Sequence, residues 1–133
     1  MTATAQDPAA IARLAQVSVN ARDLPRATAF WRDVLGVRHL FDVPGHMAFF
    51  DLGGVRVMLA LPEKPEFDHP SSILYLSVGD IRAAHAQLSA RGVHFRSEPV
   101  LVARMPDHEL WMAFFDDSEG NTLALASEVR GGA

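Results

Sequence analysis

Met47-Ala48-Phe49-Phe50-Asp51, followed by Leu59-Ala60-Leu61, is written a second time as Met112-Ala113-Phe114-Phe115-Asp116, followed by Leu123-Ala124-Leu125. The first pieces are 112 − 47 = 65 residues apart and the second 123 − 59 = 64, so the turn between them absorbs one residue. An upstream pair keeps the same order. Gln16-Val17-Ser18-Val19-Asn20-Ala21-Arg22-Asp23-Leu24 matches Ile73-Leu74-Tyr75-Leu76-Ser77-Val78-Gly79-Asp80-Ile81 at an offset of 73 − 16 = 57, and Ala27 and Ala29 fall on Ala84 and Ala86. Two correspondences in one order imply a duplicated unit of roughly 55 to 65 residues. Two copies are too few for a solenoid, so the halves are expected to pair into one pseudo-symmetric domain.

Each half reads as β-α-β-β-β. Leu14 to Ala21 alternates Ala15, Val17, Val19 and Ala21 with Gln16, Ser18 and Asn20, the pattern of a half-buried strand. Asp23 caps a helix with Pro25 just inside it; Leu24, Ala27, Phe30, Trp31 and Val34 form its apolar stripe and Gly36 ends it. Strands are expected over 37–43, 46–51 and 55–61, the last two joined at Gly53-Gly54. The second half repeats the plan with strand 72–78, helix 81–91 and strands near 93–97, 110–116 and 122–128. Residues 1–12 read as a tail with a helical turn after Asp7-Pro8, 13–61 as module one, and 62–71, with three prolines, as a linker. Module two then spans 72–128, and 129–133 form a second tail.

Composition narrows the partners. The 133 residues suit one domain, and the net charge of −4 arises from 12 basic and 16 acidic residues with no basic run. Nucleic acid and anionic membrane both need clustered Lys and Arg, so neither is expected as a partner. Without cysteine there is no thiol chemistry. Met1 to Ala10 lacks a basic region ahead of an apolar core, and no apolar run approaches a membrane span, so a cytoplasmic location is expected.

One helix per half covers one sheet face and leaves the other to curve. The fold class expected is α+β: two tandem βαβββ modules making a curled eight-stranded mixed sheet, helices outside and a concave cavity within. Two segments, Asp23-Leu24…Leu35-Gly36 and Phe115-Asp116-Asp117-Ser118-Glu119-Gly120-Asn121, carry a likeness: the chain resembles the vicinal-oxygen-chelate superfamily, which includes glyoxalases, bleomycin-resistance proteins and ring-cleaving dioxygenases. Asp23-Leu24…Ala29-Phe30-Trp31…Val34-Leu35-Gly36 is similar to its D-L-x-x-x-x-x-F-Y-x-x-x-L-G helix. Phe115-Asp116-Asp117-Ser118-Glu119-Gly120-Asn121 is similar to its F-x-D-P-x-G-N turn, with Ser118 in place of proline.

That resemblance implies a divalent ion held by two strand residues per half. Its positions map here to Gln16, Ala60, Ile73 and Ala124, and of these only the Gln16 side chain has an electron pair to give. Shifting the register by one residue brings in only Leu59, Leu61, Ser72, Leu74, Leu123 and Leu125. No metal and no cofactor is therefore expected. The six histidines offer no i, i+2 or i, i+4 pair, and His85 and His69 read as solvated.

Packing the apolar face on the helices leaves Gln16, Ser18, Asn20, Arg56, Met58, Ala60, Ile73, Tyr75, Ser77, Thr122, Ala124 and Ala126 on the concave side. Small and apolar residues with a few polar groups suit a ligand pocket, although small residues also let a sheet curl. Arg56 stands mid-strand; it grips a ligand carboxylate, pairs with a residue such as Asp51, or lies on an edge. Tyr75 offers a donor and a stacking surface, or fills core. Arg104-Met105-Pro106-Asp107-His108-Glu109-Leu110-Trp111 gathers a cation, carboxylates, a histidine and an indole ahead of a strand. His108 and Glu109 are candidates for acid–base catalysis, against a charged hairpin tip in which Trp111 anchors the core or a dimer. The ligand-binding set is thus Gln16, Ser18, Arg56, Met58, Tyr75 and Trp111. The function expected is metal-free binding of a small molecule by a homodimer. The alternative is an enzyme of glyoxalase, epimerase or dioxygenase kind, using a non-standard metal site or His108 with Glu109.

Overall fold

The computed structural model describes residues 8–130, and the expected turn after Asp7 begins at the edge of that range. Its strands are β1 (Gln16–Asn20), β2 (Arg38–Val43), β3 (Met47–Leu52), β4 (Val55–Ala60), β5 (Leu74–Ser77), β6 (Val100–Arg104), β7 (His108–Asp116) and β8 (Thr122–Arg130). Helix α1 (Leu24–Ala29) continues into a π-helical segment, Phe30–Val34, and α2 spans Ile81–Ala90. The eight strands form two four-stranded mixed sheets of identical topology, β1-β4-β3-β2 and β5-β8-β7-β6. In each, the first strand runs parallel to the last, Gln16 against Arg56 and Tyr75 against Ala124, and the remaining pairs are antiparallel. The α+β fold and its duplication follow the sequence reading; the eight strands, expected as one curled sheet, are hydrogen-bonded as two sheets of four.

The strand after α2 differs from it. Val93 and Phe95 alternate with His94, but the chain there makes only a bridge, Phe95 to Phe115, and β6 begins at Val100, just beyond Pro99. Val93 is buried, and Phe95 stacks between His85 and Phe115, at 4.1 and 5.2 Å. His85 is consequently packed rather than solvated, its side chain 11% exposed and its Nε2 3.1 Å from the Ser97 carbonyl. The last strand continues to Arg130, past the expected end of module two.

A single apolar cluster joins the halves. Val19, Trp31, Phe50, Val57 and Leu59 of module one share it with Ile81, Leu88, Ala113, Phe115, Leu123 and Leu125 of module two. Each of the Val, Leu, Ile and Phe side chains among them contributes roughly 1.5 to 3 kcal/mol by leaving water. Strand alternation sends the intervening residues to the opposite face. That face is largely uncovered: Tyr75 is 51% exposed, Ile73 43% and Phe41 49%.

The modules are also fastened by polar bonds from one turn. Glu119, in the β7–β8 turn, accepts hydrogen bonds from the Arg22 and Asp23 amides at 2.7 and 2.8 Å and from Arg26 Nε at 2.7 Å. Its side chain is 1% exposed. Asp117 accepts from the amides of Glu119 and Asn121 and from Trp31 Nε1. Asn121 Nδ2 donates to the Asn20 carbonyl at 2.8 Å. The π-helical segment, closed by Leu35 N to Phe30 O at 2.9 Å, carries the buried Trp31.

Candidate functional site

Four of the six expected ligand-binding residues lie together on the uncovered face of module one. Register pairs Gln16 with Arg56 and Ser18 with Met58 on the parallel strands β1 and β4. Arg56 Nε donates to Gln16 Oε1 at 2.8 Å, and Gln16 Nε2 approaches Met58 Sδ at 3.6 Å. The Arg56 guanidinium also lies 5.3 Å above the Phe49 ring, which in turn stacks on Phe41 at 4.5 Å. Of the alternatives open for Arg56, an ion pair with Asp51 is not made: Asp51 stands opposite in register but accepts from the Gly54 amide at 3.2 Å. Among the described residues Arg56 has no acidic partner within ion-pair distance. Its guanidinium is exposed to solvent, held in position by Gln16 and Phe49, and without a carboxylate partner among the described residues.

Next to this group lies a cavity of about 260 Å³ lined by Ser18, Asn20, Met47, Met58, Ala60, Leu61, Pro62, Glu63 and Phe67. Its outer wall comes from the segment expected to be a plain linker. Asn20 fastens that segment over the sheet: Nδ2 donates to the Phe67 and His69 carbonyls at 3.3 and 2.7 Å, and its amide donates to Ser71 Oγ at 3.1 Å. A short 3-10 turn, Pro65–Phe67, places the Phe67 ring, with Lys64 Nζ 5.7 Å above it. The proline-rich composition of 62–71 concealed this wall. A lone aromatic in an otherwise polar stretch was the signal for it.

The other expected residues separate. Tyr75 lies on the uncovered face of module two, edge-on to Phe114 at 5.9 Å. Trp111 shares the parity of Ala113 and Phe115 and packs on the core instead, beneath the Arg82 guanidinium of α2 at 5.2 Å. Glu109 follows it to that side, accepting from Trp111 Nε1 at 3.2 Å. His108 takes the opposite side of β7. Its Nδ1 is 2.8 Å from Asp107 Oδ1, and Arg130 bonds Asp107 Oδ2 at 2.6 Å. The His108 hydrogen bond, ahead of the charges of His108 and Arg130, holds the Asp107 carboxyl below its ordinary range. Successive residues of a strand face opposite ways, so His108 and Glu109 do not converge on one substrate atom.

The four positions the resemblance assigns to a divalent ion do not suit one. Ala60 and Ala124 are buried methyl groups, Ile73 is aliphatic, and Gln16 is engaged by Arg56. A cation of the Zn²⁺ or Mn²⁺ kind needs several converging N, O or S donors. Among the described residues no cluster of three or more His, Asp or Glu is arranged to hold one.

The fold has counterparts in known proteins. A search of the curated proteins finds no match. Among solved structures, a superfamily member from Sphaerobacter thermophilus is 26% identical over 89% of this chain and 98% of its own, with a TM-score of 0.70. Lactoylglutathione lyase from Agrobacterium tumefaciens aligns at 19% identity over 88% of this chain and 94% of its own, TM-score 0.68. An integron cassette protein from V. cholerae aligns at 19% identity over 88% and 95%, TM-score 0.71. The two at 19% identity speak for the fold alone. A family model matches residues 13–125, which takes in both modules, the cavity and its linker wall, and by that match the chain belongs to the Glyoxalase/Bleomycin resistance protein/Dioxygenase superfamily.

Proposed function

We propose that this chain is a cytoplasmic, homodimeric small-molecule-binding protein that takes its ligand on the concave face of the first module without a resident metal. The observation that carries the reading is the solvent-exposed Arg56, held by Gln16 and Phe49 beside the cavity over Met58 and without a carboxylate partner among the described residues. Pockets for small ligands combine an apolar lining with a few placed polar groups, and this face has both. The aliphatic side chains at three of four metal positions leave direct side-chain contacts as the means of holding a ligand. The exposed Tyr75, Ile73 and Phe41 support a dimer, because apolar area of this kind is usually covered by a partner. The bonds of His108 to Asp107 and of Glu109 to Trp111, on opposite sides of β7, support binding over acid–base catalysis by that pair.

A thermal-shift screen of metabolites and antibiotics, followed by NMR of methyl-labelled methionine, tests this reading. The expected result is a stabilising compound that moves the Met47 and Met58 methyl signals. Stabilising compounds that leave both signals in place would move the site elsewhere.

A further inference from the structure

We infer that the ligand is a monoanionic aryl carboxylate, its carboxylate on Arg56 and its ring in the cavity walled by Met47, Met58 and Phe67. This rests on the placement of the binding site proposed above and adds its chemical selectivity. The guanidinium of arginine is a planar fork that matches a carboxylate with two parallel hydrogen bonds. Gln16 occupies Nε of Arg56, and Phe49 supports the plane from below, so the fork is oriented while the two terminal nitrogens make no hydrogen bond to protein among the described residues. Asp51, the nearest acid in register, is committed to the Gly54 amide.

Distance along β4 sets the ligand's shape. Arg56 and Met58 share a face two residues apart, a separation of about 6.6 Å along a strand. The cavity extends from Met58 toward Ala60 and Phe67, away from Arg56. An engineered apolar cavity of about 150 Å³ is enough for benzene, so the volume of about 260 Å³ here accepts a substituted ring. A spacer of two carbons or so then brings the carboxylate to Arg56. Glu63, beyond the end of β4, also lines the cavity, and a carboxylate there disfavours a second anion on the ligand. The face thus favours a single acid group, placed at Arg56.

The test compares 3-(4-hydroxyphenyl)propanoate with its primary amide by calorimetry, together with the Met47 and Met58 methyl signals. Wild-type protein is expected to bind the acid about two- to tenfold more tightly than the amide, because Arg56 is exposed and water screens its charge. Arg56→Met should bring that ratio to about one by weakening the acid alone, and Arg56→Lys should retain part of it. Equal affinity for acid and amide in wild type, with both moving the Met58 signal, would overturn the anion inference and leave the cavity as the binding site. If neither probe moves either methyl at millimolar concentration, the aryl-carboxylate inference falls. The binding-site reading falls with it only if no compound of the screen moves those signals either.

Discussion

Glu119 and Arg26 lie 93 residues apart in sequence and make a two-pronged ion pair, Nε to Oε2 at 2.7 Å and Nη2 to Oε1 at 3.1 Å, that ties the last turn of module two to the first helix of module one. The same carboxylate accepts the Arg22 and Asp23 amides, so one side chain satisfies several donors at the start of α1. Removing it leaves two backbone amides and a guanidinium without their acceptor. Glu119→Ala is therefore expected to cost roughly 2 to 4 kcal/mol, measured by urea unfolding.

This carboxylate also predicts a pH dependence. Burial pushes the Glu119 carboxyl up, but hydrogen bonds from Arg26, the Asp23 amide, Ser118 and the Arg22 amide outweigh burial and bring it down to about 2 from an ordinary 4.5. A depressed carboxyl stabilises the fold fully above its unfolded value, and that contribution is lost as pH falls through the folded one. Wild-type stability should decline between about pH 4.5 and pH 2 by more than that of Glu119→Gln. Parallel acid profiles for the two proteins would show that Glu119 is not the group responsible.

Trp111 should be a stability residue rather than a ligand residue. Its ring joins the core cluster and is covered by Arg82, on the side of β7 away from Phe114 and Tyr75. Trp111→Ala is expected to cost about 2 to 4 kcal/mol, somewhat below the loss at a fully buried site, with ligand affinity changed less than about threefold. Calorimetry with a screened ligand, paired with urea unfolding, reads both quantities.

A homodimer is expected in solution. Light scattering at micromolar concentration should give twice the 14.5 kDa mass of the chain. A monomer at that concentration would leave Tyr75, Ile73, Phe41, Val100 and Val102, each 43% exposed or more, without a cover and would contradict the proposed assembly.

Much of this was written in the sequence. The repeat of Met-Ala-Phe-Phe-Asp gives both modules the same β-α-β-β-β succession of elements, and the alternation of Gln16, Ser18, Arg56 and Met58 places them on one face. The same arithmetic applies to Trp111. Phe115 is the counterpart of the core residue Phe50, and Trp111 lies four residues before it, which is the core side. The β6 position was hidden because Val93 and Phe95 alternate like a strand yet serve as a plug between α2 and the sheet. Glu119 was hidden for a different reason. Its partners are Arg22, Asp23 and Arg26, and no local pattern reports a contact across so much chain. Likewise, the fastening of Phe67 over the cavity depends on Asn20, 47 residues away.

The central claim is that this face holds its ligand through side chains alone, and chelation tests it most directly. A compound found in the screen would be titrated by calorimetry into protein as purified, into protein dialysed against a chelator, and into dialysed protein with zinc, nickel or manganese restored. The account predicts one Kd, within about twofold, in all three, together with far less than one divalent ion per chain in the purified sample. Affinity that disappears on chelation and returns with about one equivalent of metal would contradict it.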